Sequence, residues 1–318
     1  MKVLITGGAG YIGTVLVEQL LKRADQLGIK KIVVYDNLMY KQDGLFALLA
    51  DPRLEFVYGD VRNHSKLEKS LEGADVVIPL AAIVGFPACE RDRRLAEDVN
   101  LNQIKFILGY IPYGCKVIYP NTNSGYGIGK DDSFCTETTP LNPISVYGVT
   151  KCAAEKEVLN SSLGGIVLRL ATVFGTSYRF RKDLLVNDFV LKALNDKYVV
   201  LFEGHFKRNY IHIRDVVEVF IKMIQEFDLH RGQVFNVGLS SANLSKIELC
   251  EAIKKYVPNF VIKIDEFSQD MDKRNYVISN DKLEKTGWTP KYSLDYGIQE
   301  LIKAYGVLTP ANTKYTNL

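Results

Sequence analysis

The sequence predicts an α/β fold: a doubly wound parallel sheet with helices on both faces and a smaller, interleaved C-terminal substrate domain. Three observations predict it. Short β-branched runs alternate with amphipathic helical stretches through the first half of the 318-residue chain. A glycine-rich turn, ITGGAGYIG (5–13), joins the first run to the first helical stretch. An aspartate, Asp36, closes the second run. Continuous hydrophobic strands belong to sheets buried on both faces, and strand–helix alternation makes the strands parallel.

The elements follow in order. KVLIT (2–6), KIVVYD (31–36), EFVYGD (55–60), DVVIPLA (75–81), KVIYPN (116–121) and GIVLRL (165–170) read as buried strands. TVLVEQLLKR (14–23) and VNLNQIKFILGY (99–110) carry apolar residues at helical spacing between them. After about residue 173 the rhythm loosens. RFRKDLLVNDFVLKALND (179–196) and SKIELCEAIKKYV (245–257) read as helices, and YIHIRDVVEVFIKMIQEF (210–227) as a strand leading into a helix. With no flexible linker between them, the two parts are expected to interleave. Residues 1–174 and 209–238 would form the dinucleotide domain, and 175–208 and 239–318 the substrate domain. The polar tail 309–318 is expected to fray.

Composition excludes several function classes. Apolar residues make up 47% and charged residues 24%, ordinary for a globular chain. A net charge of +3, spread along the chain, gives no basic face for nucleic acid. Five cysteines without a CxxC pair read as reduced thiols, and four histidines without ligand spacing argue against a metal site. The longest apolar stretch, residues 74–86, is too short to span a bilayer. The N-terminus has no signal-peptide pattern. The chain therefore reads as a cytoplasmic protein with no membrane partner.

Gly7, Gly10 and Gly13 sit between a strand and a helix. Glycines there let the backbone turn tightly and approach a pyrophosphate resting on the helix N-terminus. Asp36 lies 23 residues beyond Gly13, slightly more than the usual spacing of about 20. A carboxylate there accepts ribose hydroxyls and repels a 2′-phosphate, which favours NAD over NADP. Its alternative reading is a strand-end turn residue. Asp60 suits the adenine edge, or equally a turn.

Tyr147 and Lys151 are four apart in a helical pattern, about 6 Å along one face. An ammonium and an oxidised nicotinamide would both favour the phenolate of a tyrosine that otherwise ionises near pH 10. Without a nucleotide fingerprint upstream, such a pair is an ordinary solvated helix face.

TGGAGYIG, GDVR, LAA at 80–82, Asn100, YPNTNSGYG and YGVTK occur here in the order found in extended short-chain dehydrogenases/reductases. The chain resembles their nucleotide-sugar epimerase and dehydratase group from residue 1 to about residue 292. The resemblance implies a Rossmann-type fold, NAD as cofactor and a nucleotide-sugar substrate. It makes Tyr147 the base, Lys151 the holder of the nicotinamide ribose, and Thr122 the hydroxyl bonding the reacting sugar alcohol. Cofactor contacts fall on Gly7, Gly10, Tyr11, Ile12 and Gly13 in the turn, and on Asp36 and Asn37 after the second strand. Further contacts fall on Asp60, Val61, Leu80, Ala81, Ala82 and Asn100. Dehydrating relatives carry an acidic pair directly after this threonine. Asn123 and Ser124 stand there instead, and neither does acid–base work near neutral pH. A 4,6-dehydratase is disfavoured, whereas oxidation at carbon 4 needs only Thr122, Tyr147, Lys151 and NAD.

The substrate end is less sharply drawn. AIVGF (82–86), with Val84, follows the fourth strand, where α/β folds bind ligands. Lys207, Arg208 and Arg274 would suit a diphosphate, or serve as surface ion pairs. By resemblance, Arg208 and Arg274 clamp the nucleoside diphosphate and Asn187 lies toward the base. Thr172 stands where many relatives have asparagine. Segments 169–189, 205–215 and 279–290 most resemble bacterial enzymes that oxidise carbon 4 of a GDP-linked manno-heptose for capsule heptose modification. The expectation is thus a GDP-heptose 4-dehydrogenase whose NADH a second substrate reoxidises, with a nucleotide-sugar 4-epimerase as the alternative. An NAD-sensing regulator would lack the tyrosine–lysine pair. Helices near 100–110 and 145–159 match those that pair across a two-fold axis in relatives, implying a homodimer, although either would also serve as a plain intrachain helix.

Overall fold

A computed structural model describes residues 1–129, 133–265 and 274–308. Five parallel strands form in order: β1 (Lys2–Thr6), β2 (Lys31–Asp36), β3 (Leu54–Tyr58), β4 (Val76–Pro79) and β5 (Lys116–Thr122). With Ile166–Leu170 and Val234–Val237 they make a seven-stranded sheet. Its order runs Val234–Val237, Ile166–Leu170, β5, β4, β1, β2, β3.

Alternating side chains explain why both faces are covered. Val3, Ile5, Ile32, Val34 and Ile78 enter one apolar cluster with helix α1 (Tyr11–Lys22) and the helix Ile213–Gln225. Leu4, Val33, Tyr35, Val77, Val117 and Tyr119 enter the opposite cluster. There the helices Gln103–Tyr110 and Val146–Asn160 cover the sheet. Each fully buried Val, Leu or Ile contributes about 1.5–3 kcal/mol, so neither layer can be removed alone. Strand order reverses between β1 and β4, and the carboxyl ends of those strands open the crevice where such sheets bind ligands.

A third apolar cluster gathers the helices Leu185–Asn195, Lys246–Lys254 and Leu294–Tyr305. It includes the small strands Tyr198–Phe202 and Val261–Asp265, which pair in parallel. Strand Lys207–His212 ties the two parts together. Its Tyr210–His212 end pairs with Thr172–Phe174, and its Lys207–Asn209 end with Asn243–Ser245. Ser245 caps the following helix in a reciprocal capping box with Glu248.

The six strand expectations hold within one or two residues. The helix expected over 179–196 begins only at Leu185. Residues ahead of it are held as a turn, because the Asn187 amide donates to the Arg181 carbonyl (2.8 Å). The 99–110 stretch opens with a wide helical turn, Asp98–Asn102, before Gln103–Tyr110. The tail 309–318 and the first four residues of DMDKRNY (270–276) lie outside the described residues.

Candidate active site

The glycine-rich turn comes first. Gly7 has φ +69°, the left-handed region that favours glycine, and a Cβ on it would stand 2.5 Å from the Ala81 nitrogen. A Cβ on Gly13 would stand 2.6 Å from Gly8 Cα. The first turn of α1 is therefore pressed against the end of β1, beside the β4 end. Gly10 is the N-cap and supplies no side chain, so the first N–H groups of α1 have no side-chain partner. That cradle fits a dinucleotide pyrophosphate.

Asp36 ends β2 and is 7% exposed. One carboxylate oxygen accepts the Ala9 N–H (3.1 Å), and the other accepts Leu38 N–H (2.8 Å) and Gln42 Nε2 (3.2 Å). Burial raises its pKa above the usual carboxylate value, against the pull of the two backbone N–H groups. Asp60 is held to about 2, chiefly by hydrogen bonds from Arg62 (2.9 and 2.8 Å); Asn37 Nδ2 donates to the same carboxylate (3.2 Å). An adenine edge would thus meet a carboxylate already engaged by Arg62 and Asn37.

Tyr147 and Lys151 lie in the helix Val146–Asn160, whose N-cap Ser145 accepts the Gly148 N–H (3.1 Å). Thr122 ends β5. Its hydroxyl donates to Ser124 Oγ (2.9 Å) and accepts Ser124 N–H (3.1 Å). Thr122, Ser124, Tyr147 and Lys151 share the wall of one cavity of about 620 Å³. Burial pushes the Tyr147 phenol up to about 12, while Arg274, Arg181 and the Thr122 hydroxyl pull it back. Burial also pushes the Lys151 ammonium down to about 7, against Cys152 and Glu155. Its Nζ sits 4.2 Å from the centre of the Tyr119 ring. The sequence suggests a phenol lowered by its lysine. In the chain itself desolvation dominates both groups, and the phenol moves the other way.

The cavity also brings together Gly7, Gly10, Tyr11, Ile12, Gly13, Asp36, Asn37, Asp60 and Val61. Leu80, Ala81, Ala82, Val84, Thr172, Arg208 and Arg274 line it too. Arg208 is buried, its guanidinium 5.6 Å from the Tyr276 ring centre. Arg274 Nη1 donates to Ser124 Oγ. Three expected residues do not line the cavity. Asn100 holds Ile83 through its N–H (2.9 Å) and carbonyl (3.0 Å) and reaches Thr150 (3.2 Å). Asn187 bonds Gly175 N–H (3.2 Å) and the Arg181 carbonyl (2.8 Å). Asn123 is buried with its amide atoms unpartnered. All three sit behind the wall and shape it.

Other residues appear at the wall without a signal in the sequence that singled them out. Tyr40 lies beneath the Arg179 guanidinium (5.2 Å), Gln42 reaches Asp36, and Lys246 donates to the Phe202 carbonyl (2.8 Å). Arg179 and Arg181 belong to the basic run RFRKD that opens the 179–196 stretch, and both line the cavity. Among the described residues no His, Cys, Asp or Glu cluster could hold a metal ion, and no helix is long and apolar enough to cross a membrane. All five cysteines are buried free thiols.

The sequence profile of the NAD dependent epimerase/dehydratase family matches residues 3–238. The chain is 28% identical to the low-salt glycan biosynthesis protein Agl12 of Haloferax volcanii, over 96% of this chain and 98% of that protein. It is 30% identical to an uncharacterized UDP-glucose epimerase of Bacillus subtilis, over 75% of this chain and 77% of that one. The crystal structure of UDP-glucuronic acid 4-epimerase from Bacillus cereus, in complex with UDP-glucuronic acid and NAD, superposes with a TM-score of 0.85. That likeness covers 97% of this chain and all of that one at 24% identity. Neither the family profile nor these relatives point to GDP or to heptose, and the Bacillus subtilis relative, named an epimerase, favours the epimerase alternative over the dehydrogenase expectation.

Proposed function

Because the chain belongs to the NAD dependent epimerase/dehydratase family, whose nucleotide-sugar chemistry uses NAD, we propose that it is a nucleotide-sugar 4-epimerase. The observation that carries this reading is the cavity wall where Thr122, Tyr147 and Lys151 meet and Ser124 stands in place of an acid. Tyr147 Oη takes the proton of the sugar 4-hydroxyl, and Thr122 Oγ1 bonds that same hydroxyl. Bound NAD supplies the hydride acceptor and a positive charge. Lys151 Nζ holds the nicotinamide ribose and keeps its ammonium toward the phenol. A unit charge about 4 Å away at an effective dielectric of about 20 is worth ~4 kcal/mol, roughly three pK units. Each such cation would draw down a phenol that burial holds high, against which only Arg274, Arg181 and Thr122 pull in the chain alone. Oxidation would pass the carbon 4 hydride to that acceptor, and epimerisation would follow if, after the 4-keto sugar turns in the cavity, the hydride goes back to the opposite face of carbon 4 while Tyr147 gives its proton back to the oxygen. Elimination toward carbon 6 has no acid or base at 123–124.

UDP is the first nucleotide to try, since the Bacillus subtilis relative is named for UDP-glucose. Arg208 and Arg274 take the diphosphate. A second reading, GDP-manno-heptose 4-dehydrogenase, rests only on the resemblance of segments 169–189, 205–215 and 279–290 to such enzymes. It needs an oxidant to recycle NADH. The two parts are read as a dinucleotide domain (1–174, 209–238) and a sugar-nucleotide domain (175–208, 239–318), and the working unit as a homodimer. Incubation with UDP-, CDP-, dTDP- and GDP-sugars, with and without 2-oxoacids, tests this. An epimer appearing without an oxidant supports the epimerase; a ketone that accumulates only with a 2-oxoacid replaces it with the dehydrogenase.

A further inference from the structure

A buried polar cluster that the proposed reaction does not use runs inward from Asn121 at the cavity wall. Asn121, Glu155 and Arg169 are each less than 5% exposed. Glu155 stands one helical turn beyond Lys151 on the same face. Its Oε1 accepts Arg169 Nη2 (2.6 Å), and its Oε2 accepts Arg169 Nε (3.2 Å) and the Asn121 amide. Asn121 in turn accepts the N–H of Thr122 (2.8 Å). Arg169 extends the chain through Nη1 to the Tyr126 hydroxyl (2.8 Å), on the short turn that follows Thr122. One carboxylate thus touches the residue before Thr122 and the arginine of the neighbouring strand, from a helix that also carries Tyr147 and Lys151.

We propose that Glu155, with Arg169 and Asn121, acts as a positioning cluster that fixes the Thr122 strand against the Tyr147–Lys151 helix and holds the charge of that helix in balance. The inference rests on the reading of Tyr147 and Lys151 given above. A buried ion pair of this kind adds little net stability over an apolar substitute, so a geometric and electrostatic role accounts for it better than a thermodynamic one. Displacement by about 1 Å at a reacting group costs up to about a hundredfold in rate, so a clamp across the joint between strand and helix has large leverage.

Charge balance follows from what surrounds Lys151. Cys152 and Glu155 act on it from its own helix and Tyr119 from β5, Tyr147 shares its helix face at i, i+4 spacing, and Arg169 stands behind Glu155 on the neighbouring strand. Glu155 raises the lysine pKa and so opposes burial. Removing that negative charge leaves Arg169 uncompensated, drives the lysine proton off at lower pH, and withdraws support from the phenolate.

The test uses the NAD-loaded full chain and two readouts. One is the pH midpoint of the phenolate absorbance difference between each protein and its Tyr147→Phe counterpart. It needs no substrate, so its failure is distinct from failure of the sugar reading. The other is kcat and KM with whichever nucleotide sugar is turned over. Glu155→Gln should raise the phenolate midpoint by about one pH unit and lower kcat about ten- to a hundredfold, with KM little changed. Glu155→Asp, which keeps the charge and shortens the reach, should leave the midpoint in place while kcat falls. If Glu155→Gln does not fold, the double variant Glu155→Gln/Arg169→Gln, which removes both charges of the pair, should keep the midpoint near the wild-type value while kcat still falls about ten- to a hundredfold. A folded variant lacking the carboxylate but keeping the wild-type midpoint and kcat overturns the proposal, and so does a loss confined to thermal stability.

Discussion

Single residues decide the chemistry, and burial decides the residues. Tyr147→Phe removes one oxygen from the cavity wall and should lower turnover at least about a hundredfold while leaving NAD bound, as measured by rate and by cofactor content. Lys151 gives a prediction about stability. Its pKa falls from 10.5 to about 7 in the fold, so the unfolded chain binds more protons between those values and stability rises with pH there. In the chain freed of dinucleotide, the stability advantage of Lys151→Met should be greatest near pH 7 and below, and shrink as pH climbs toward 10. Thermal melts across that range check it, and an advantage that grows with pH contradicts the lysine's burial. The Tyr147–Lys151 pair at the cavity wall was legible in the sequence because four-residue spacing fixes a shared helix face, whereas Thr122, on a strand, was legible only through the family resemblance. Charge states were not legible: spacing shows that two groups are neighbours but not how much water they lose. Asn123 and Asn187 show the same limit, since a polar residue in the right segment can face the wall or stand behind it.

At the scale of elements, the glycine turn is the tightest joint. Gly7→Ala places a Cβ 2.5 Å from the Ala81 nitrogen in a left-handed backbone. It should cost about 1–3 kcal/mol in stability and most of the dinucleotide affinity, read by denaturant melts and cofactor titration. Strands were legible because β-branched runs buried on both faces tolerate few alternatives. The 179–196 stretch misled because its apolar spacing continues past the point where the backbone turns. Asn187 reaches back across that turn to Gly175 and Arg181, a bond that periodicity cannot reveal. Tyr40 and Lys246 were invisible for a related reason. Each reaches the cavity from a loop end or a helix start, where the local pattern carries no direction.

For the molecule as a whole, the topology explains where the site is. Reversal of strand order beside β1 opens the crevice, and the second part, tied in through strand Lys207–His212, closes it with Arg208 and Tyr276. The helices Gln103–Tyr110 and Val146–Asn160 lie side by side, with Val149 and Ile144 half-exposed near them. A two-fold pairing through that face would cover them. Sedimentation should show a dimer at micromolar concentration that Val149→Asp dissociates; a wild-type monomer rejects the pairing. The central claim is that hydrogen leaves carbon 4 of a nucleotide-linked sugar as hydride and that no water is lost. A nucleotide sugar deuterated at carbon 4 tests it most directly. The account predicts an epimer that retains the deuterium at carbon 4, with no solvent hydrogen at carbon 5. Solvent exchange at carbon 5 together with a 6-deoxy product would contradict it.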